Sequence, residues 1–117
     1  MSKLIDQLRA HGADMDGAMN RLMGDEELYA MCFGLFLKDA AFAALGAALD
    51  ARDWTAAFEA AHCLKGVAGN LGLTRIYRLG SELVEPLRSG EPSAADLLAF
   101  YADLIEERDT LRGFTEE

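Results

Sequence analysis

The sequence predicts an all-α fold, an antiparallel up-down-up-down four-helix bundle with one or two short extra helices at its N-terminal end. Of the 117 residues, 51% are apolar and only two are prolines. The apolar residues recur every three or four positions, as in amphipathic helices, and no stretch alternates with the period of a strand. Four substantial helices with short connections bury their apolar faces most simply as an antiparallel bundle. Residues 1–117 are therefore predicted to form one domain.

Two short helices are predicted first. The first ends near residues 11–12, and its apolar face consists of Leu4, Ile5 and Leu8. Asp14 is a candidate N-cap for the second helix. That helix is predicted to end at Gly24, with the apolar residues Met15, Met19, Leu22 and Met23.

The next two helices are longer. Asp25 begins a long third helix whose apolar residues are Leu28, Met31, Cys32, Leu35, Phe36, Phe42, Leu45 and Leu49. Asp53 is the candidate N-cap of the following helix, and Gly72 is predicted to end it. Its apolar stripe consists of Trp54, Phe58, Ala61, Leu64, Ala68 and Leu71.

The last two helices are separated by the loop 90–92. The helix from Leu73 to about Arg88 has the face Leu73, Ile76, Gly80, Leu83 and Leu87. Pro86 lacks a backbone donor, which predicts a kink or fraying in the last turn. Ser93 and Asp96 resemble a capping box for the final helix, whose apolar residues are Leu97, Tyr101, Leu104, Ile105 and Leu111.

The charge balance restricts the possible partners. With 20 acidic and 11 basic residues, the net charge is −9, which argues against binding nucleic acid or an anionic membrane surface. No run of about 20 apolar residues suggests a membrane span and the first residues do not form a signal peptide, so a soluble, cytoplasmic protein is expected. The two cysteines, Cys32 and Cys63, are predicted to be reduced and mostly buried. The acidic pairs 106–107 and 116–117 are expected to form a solubilising face.

His62 lies in a helix with more glycine than helix stability favours. Gly66 and Gly69 each cost about 1 kcal/mol relative to alanine, and such glycines usually mark a close approach to the backbone. If the stripe faces the core, His62 lies at the boundary between core and solvent. Thr55 and both glycines then point within about 40° of the same direction.

These residues favour phosphoryl transfer. A neutral imidazole is a good nucleophile near pH 7, and Lys65 is placed to offset the charge of a phosphoryl group on His62. Arg75 is expected to add positive potential near the site. The sequence contains no glycine-rich nucleotide loop and no helix-borne acidic cluster for a metal. Phosphorylation by ATP alone is therefore not expected, and no metal site is predicted.

Two short stretches carry a resemblance to a known family: His62-Cys63-Leu64-Lys65-Gly66 and Leu71-Gly72-Leu73. They resemble the signature of the HPt (histidine-containing phosphotransfer) domains of two-component phosphorelays. The resemblance implies a helical bundle with a phosphoaccepting His62, a supporting Lys65 and a close-approach Gly66. It also implies a response-regulator receiver domain as partner, which supplies the aspartate and Mg²⁺, so that the chain needs no cofactor of its own.

The expected function is a stoichiometric phosphocarrier, and not an enzyme, that shuttles a phosphoryl group between receiver-domain aspartates. Receiver domains and a hybrid sensor histidine kinase are the expected partners, and a monomer is expected. The predicted docking residues are Thr55, Gly66, Gly69 and Arg75. Two alternatives stay open: an adaptor that docks a receiver domain without carrying phosphate, and a bundle that binds a metal or hydrophobic ligand.

Overall fold

A computed structural model describes residues 3–90 and 92–114, which contain seven α-helices and no β-strand. The all-α prediction is confirmed. The helices are α1 (Lys3–Ala10), α2 (Met15–Arg21), α3 (Glu26–Leu37), α4 (Ala41–Ala51), α5 (Trp54–Asn70), α6 (Thr74–Ser89) and α7 (Ala94–Leu111).

The last four helices form the predicted bundle. Helix α5 packs against α4 and α6, and α7 packs against α6 and α4, so the four helices close around one core. Short connections between consecutive helices make the neighbours antiparallel. The largest buried side chains of these four helices are Phe42, Leu45, Leu64, Ile76, Leu83, Val84, Leu97, Leu104 and Leu111.

The helix N-caps are placed as the sequence predicts. The carboxylates of Asp14, Asp25 and Asp53 each accept a hydrogen bond from the backbone N–H three residues later, at 3.0, 2.9 and 3.2 Å. Ser93 Oγ accepts the Asp96 N–H at 3.4 Å. Each cap satisfies a donor that the first turn leaves without a partner, which typically stabilises a helix by about 1 kcal/mol.

The predicted long third helix is two helices, since α3 ends at Leu37 and α4 begins at Ala41. The Asp39 carboxylate accepts a hydrogen bond from the Ala41 N–H at 2.8 Å. An aspartate that bonds nearby backbone in this way offers the chain a local alternative to the helical hydrogen bond. The apolar pattern continues through both helices, so it did not reveal the break.

The predicted buried face of α3 is correct at Phe36 but wrong at Leu28, Met31 and Leu35. Its buried residues are Tyr29, Phe33, Phe36 and Leu37, whereas Leu28, Met31 and Leu35 are 39%, 62% and 65% exposed. Apart from one glycine, every residue between 28 and 37 is apolar, so periodicity could not choose a face. The tertiary structure selects the aromatic face, where the Tyr29 hydroxyl donates to the Leu71 carbonyl at 2.6 Å.

The segment containing α1 and α2 covers the C-terminal end of α5. The Asp14 N–H donates to the Gly72 carbonyl at 2.8 Å. The Arg21 guanidinium donates to the carbonyls of Gly69 and Asn70 at 2.8 and 3.0 Å. The last carbonyls of a helix have no partner within it, so these contacts attach the N-terminal segment to the bundle.

Helix α6 continues through Pro86 to Ser89. Of the predicted kink or fraying in its last turn, the fraying is therefore not found. The Ser89 hydroxyl donates to the Pro86 carbonyl at 3.1 Å. Gly90 then ends the helix with a φ of +80°, in the left-handed region that glycine adopts without strain.

One segment of the described chain, Glu26–Ala51, is long and apolar enough to cross a membrane by length and composition alone. No run of this kind was expected from the sequence. It comprises α3 and α4, and a core helix of a soluble protein passes the same test.

Candidate functional site

His62 lies on the exposed side of α5. Ala61 and Leu64 are 1% and 0% exposed, and because they hold one side of α5 in the core, the histidine is directed outward. The Phe58 ring, one turn earlier, stacks on the imidazole with a centroid distance of 5.7 Å and an interplanar angle of 7°. The imidazole is thus both accessible to a partner and supported on one face.

Gly66, one turn after His62, borders open space. A Cβ at this position would have no atom within 4 Å among its surroundings. Packing within the chain therefore does not require a glycine here, although the residue weakens the helix. An approach by another molecule to the α5 backbone beside His62 would require it.

Lys65 is half-buried and is positioned by α6. Its Nζ lies 5.5 Å from the centroid of the Tyr77 ring, in the geometry of a cation–π contact. A Cβ at Gly80 would lie 3.1 Å from the Lys65 Cβ. Gly80 thus allows α6 to approach α5 closely at the lysine that follows His62 by one turn.

Tyr77 and Gly80 were missed as site residues. Gly80 was assigned only to the apolar face of its helix, and Tyr77 to no role. No signal in the sequence links either residue to Lys65, because they lie on a different helix. Their relation to Lys65 depends on the packing of α6 against α5.

Gly69 has a partner within the chain. A Cβ there would lie 3.2 Å from the Tyr77 ring, and the Gly69 carbonyl accepts the Arg21 hydrogen bond. The missing side chain therefore provides room for Tyr77. This accounts for the glycine without the external partner that the sequence suggested.

Thr55 is exposed two turns before His62 on α5. It lines a groove of about 480 Å³ whose other residues are Trp54, Phe58, Glu59, Leu87 and Arg88. Phe58 belongs both to this groove and to the stack on His62. The groove is therefore continuous with the surface around the histidine.

No contact among the described residues places Arg75 near His62. Its Nε lies 3.6 Å from Glu107 Oε1 on α7, and it lines a separate groove of about 530 Å³ between α6 and α7. The expected contribution of Arg75 to the potential near His62 has no structural support, because Arg75 faces a carboxylate on another side of α6.

Glu107 is 6% exposed, which corrects its assignment to a solubilising face. His11 Nε2 lies 2.8 Å from Glu107 Oε2. A buried carboxylate is tolerated when it is hydrogen-bonded and paired, and Glu107 joins α7 to the end of α1 in this way. The other predicted acidic pair, 116–117, lies outside the described residues.

Cys63 is exposed and Cys32 is half-buried, and both are free thiols. The prediction that both are mostly buried is wrong for Cys63. It lies about 200° around the helix from the buried Ala61, which directs it to solvent.

Among residues 3–90 and 92–114, no group of three or more histidine, cysteine, aspartate or glutamate side chains is arranged to hold a metal ion.

Comparison with known proteins identifies the family. The Hpt domain model matches residues 36–112, more than half of the chain. The matched range includes the whole of α4–α7 and the residues around His62, whereas α1, α2 and most of α3 precede it. No curated protein and no solved structure matches the chain.

Proposed function

We propose, because this chain belongs to the Hpt domain family, that His62 accepts a phosphoryl group from one receiver-domain aspartate and passes it to another. Hpt domains are phosphocarriers in two-component systems, where they interact with receiver domains or kinases. The observation that carries the proposal is the exposed His62 beside a half-buried Lys65 and the open Gly66. The proposal places the carrier in the cytoplasm, and its phosphoryl donor is a receiver domain or a hybrid sensor histidine kinase.

The chemical step needs only one nucleophile from this chain. The lone pair of the unprotonated ring nitrogen of His62 attacks the phosphorus of the partner's aspartyl phosphate. A P–N bond forms while the P–O bond breaks, and the leaving electron pair stays on the aspartate carboxylate. The proton on the other ring nitrogen need not move, and the departing carboxylate leaves as an anion, so no separate acid is needed.

Lys65 supports this step through its charge. A phosphoryl group in transfer carries negative charge on its peripheral oxygens, which a nearby cation stabilises. The Lys65 Nζ lies over the Tyr77 ring, and the close approach of α6 at Gly80 limits the conformations of the first atoms of the lysine side chain. Mg²⁺ would be supplied by the receiver domain, beside its aspartate.

The docking surface extends from Gly66 to the groove that Thr55 and Phe58 line. Gly66 allows the partner's backbone to approach the imidazole, and the groove offers apolar area beside it. The chain carries a net charge of −9, which would repel the acidic pocket of a receiver domain. Lys65 offsets this repulsion as a local cation that faces the pocket.

Incubation with a receiver domain bearing a labelled phosphoryl group tests the proposal. Wild type is expected to take up the label in an acid-labile, base-stable bond, as a phosphoramidate should. His62→Gln is expected to take up none and to keep the wild-type melting temperature, because the imidazole is exposed.

His11→Gln is the matched control, since His11 is the other of the two histidines. This variant is expected to be labelled as wild type is. Equal labelling of His62→Gln would contradict the proposal. Receiver binding by wild type and by His62→Gln, without labelling of either, would instead indicate the non-phosphorylated adaptor.

A further inference from the structure

The face of α3 that Leu28, Met31 and Leu35 form is exposed although it is apolar. These side chains, called the α3 stripe below, are 39%, 62% and 65% exposed. Their spacing of three and four residues places them within about 60° on one side of the helix. Contiguous apolar surface of this kind marks an interaction site, and it lies before the range that the Hpt domain model matches.

Opposite charges lie at the two ends of the α3 stripe. Glu27 precedes it and Lys38 follows it, and both are exposed. They are eleven residues apart, which is three turns plus about 20°, so they share one edge of the helix. Within the described part of the chain, neither residue forms an ion pair.

We propose that the α3 stripe binds the same stripe of a second copy of this chain, with the two helices antiparallel about a twofold axis near Met31. Leu28 then faces Leu35 of the second copy, and Glu27 lies near Lys38 of the second copy, twice by symmetry. A parallel twofold arrangement would place the Glu27–Lys38 edges of the two copies on opposite sides of the interface, where neither charge meets an opposite one. The charge pattern therefore selects both the partner and the orientation.

The dimer is weak, because one helix face with three large side chains is smaller than the interfaces of stable complexes. It replaces the monomer that the sequence suggested. The dimer does not depend on phosphorylation of His62. The proposed dimer and the proposed phosphotransfer can therefore be disproved separately.

Sedimentation velocity of the full chain over a range of about 5 to 500 µM tests the proposal, since this range brackets weak association. The wild-type sedimentation coefficient is expected to rise from the monomer value toward that of a dimer. Leu35→Glu is expected to remain monomeric throughout. Leu98→Glu is the matched control, because Leu98 is an exposed leucine on α7, 45% exposed, and it is expected to dimerise as wild type does.

Charge reversal tests the antiparallel orientation. Lys38→Glu places like charges together twice and is expected to weaken the dimer by about tenfold or more. The double variant Glu27→Lys/Lys38→Glu restores opposite pairs and is expected to recover most of the loss. Circular dichroism checks that every variant is folded.

Three results would overturn the proposal. The first is a wild-type monomer at every concentration, and the second is an equal loss of association in Leu35→Glu and Leu98→Glu. The third is a double variant no tighter than Lys38→Glu, which would exclude the antiparallel register. A monomer that sediments with phosphatidylcholine vesicles, and fails to after Leu35→Glu, would assign the stripe to a membrane surface instead.

Discussion

The two histidines of this chain show how surroundings decide a residue's role. His11 contacts a buried carboxylate, and its ring meets Phe114 edge-on at 5.2 Å. His62 has no such acceptor in the described structure, and its ring stacks on Phe58. A histidine that joins two helices is unavailable to a partner, whereas an exposed one is available as a nucleophile.

The charge of Lys65 can be tested without changing its bulk. Lys65→Met keeps an unbranched side chain against Tyr77 but removes the ammonium group. We expect phosphotransfer from a labelled receiver to slow by about tenfold, which corresponds to 1.4 kcal/mol in the transition state. Stopped time courses measure the rate, and Lys65→Arg should recover part of it.

Lys3→Met serves as the matched control for Lys65→Met, because Lys3 is an exposed lysine on α1. Its transfer rate should equal that of wild type. A Lys65→Met rate equal to wild type would show that the lysine is only a boundary residue.

At the scale of elements, the close approach of α5 and α6 depends on one glycine, whereas another glycine serves no packing role. Gly80 lies against Lys65, while Gly66 borders open space. Both residues lie within helices. The same substitution should therefore have opposite effects on stability at the two positions.

Gly66→Ala is expected to raise the free energy of unfolding by about 0.5–1 kcal/mol, the gain in helix propensity. Gly80→Ala is expected to lower it by up to about 2 kcal/mol, because the added methyl group would lie 3.1 Å from the Lys65 Cβ and 3.3 Å from its Cα, and the cost of separating the two backbones exceeds the gain in helix propensity. Urea denaturation of both variants measures the difference. A stabilised Gly80→Ala would show that Lys65 can yield without cost.

Gly66→Leu separates docking from folding at the same surface. The leucine side chain projects into open space, so the melting temperature should stay within a few degrees of wild type. The side chain should obstruct a partner approaching His62, and labelling by a phosphorylated receiver should fall by about tenfold or more. Unchanged labelling would mean that no partner passes over Gly66.

At the scale of the whole molecule, Tyr29 joins α3 to the end of α5. Burial raises the pKa of its hydroxyl well above the ordinary value of 10.0. The folded state therefore keeps the proton when the unfolded chain loses it. The contribution of this protonated hydroxyl to the free energy of unfolding is fully present below about pH 10. It falls as the pH rises further, by up to about 1.4 kcal/mol per pH unit.

We expect the free energy of unfolding to fall as the pH rises above about 10, and to fall less steeply in Tyr29→Phe. At neutral pH, Tyr29→Phe should be about 1–3 kcal/mol less stable, because the buried Leu71 carbonyl loses its donor. Urea denaturation at several pH values measures both effects. Tyr101, whose pKa burial also raises, should leave some pH dependence in the variant. Equal slopes in the two proteins would contradict the assignment to Tyr29.

The predicted N-caps, which depend on local sequence, are found in the structure. The N-caps Asp14, Asp25, Asp53 and Ser93 are all present, because a cap involves only the next three residues. The bundle follows from four amphipathic patterns joined by short connections. The break after α3 and the choice of its buried face were not predictable, because an almost uniformly apolar helix satisfies the same periodicity on any side.

For the candidate site, the sequence by itself determined that His62 lies one step off the apolar stripe of its helix, with Lys65 and Gly66 beside it. Helical geometry is sufficient for that, since all three residues belong to α5. Only the tertiary structure decided that Tyr77 and Gly80 position Lys65, that Gly69 accommodates Tyr77, and that Arg75 pairs with Glu107. Contacts between helices depend on how their faces pack, and spacing along one chain carries no information about that packing.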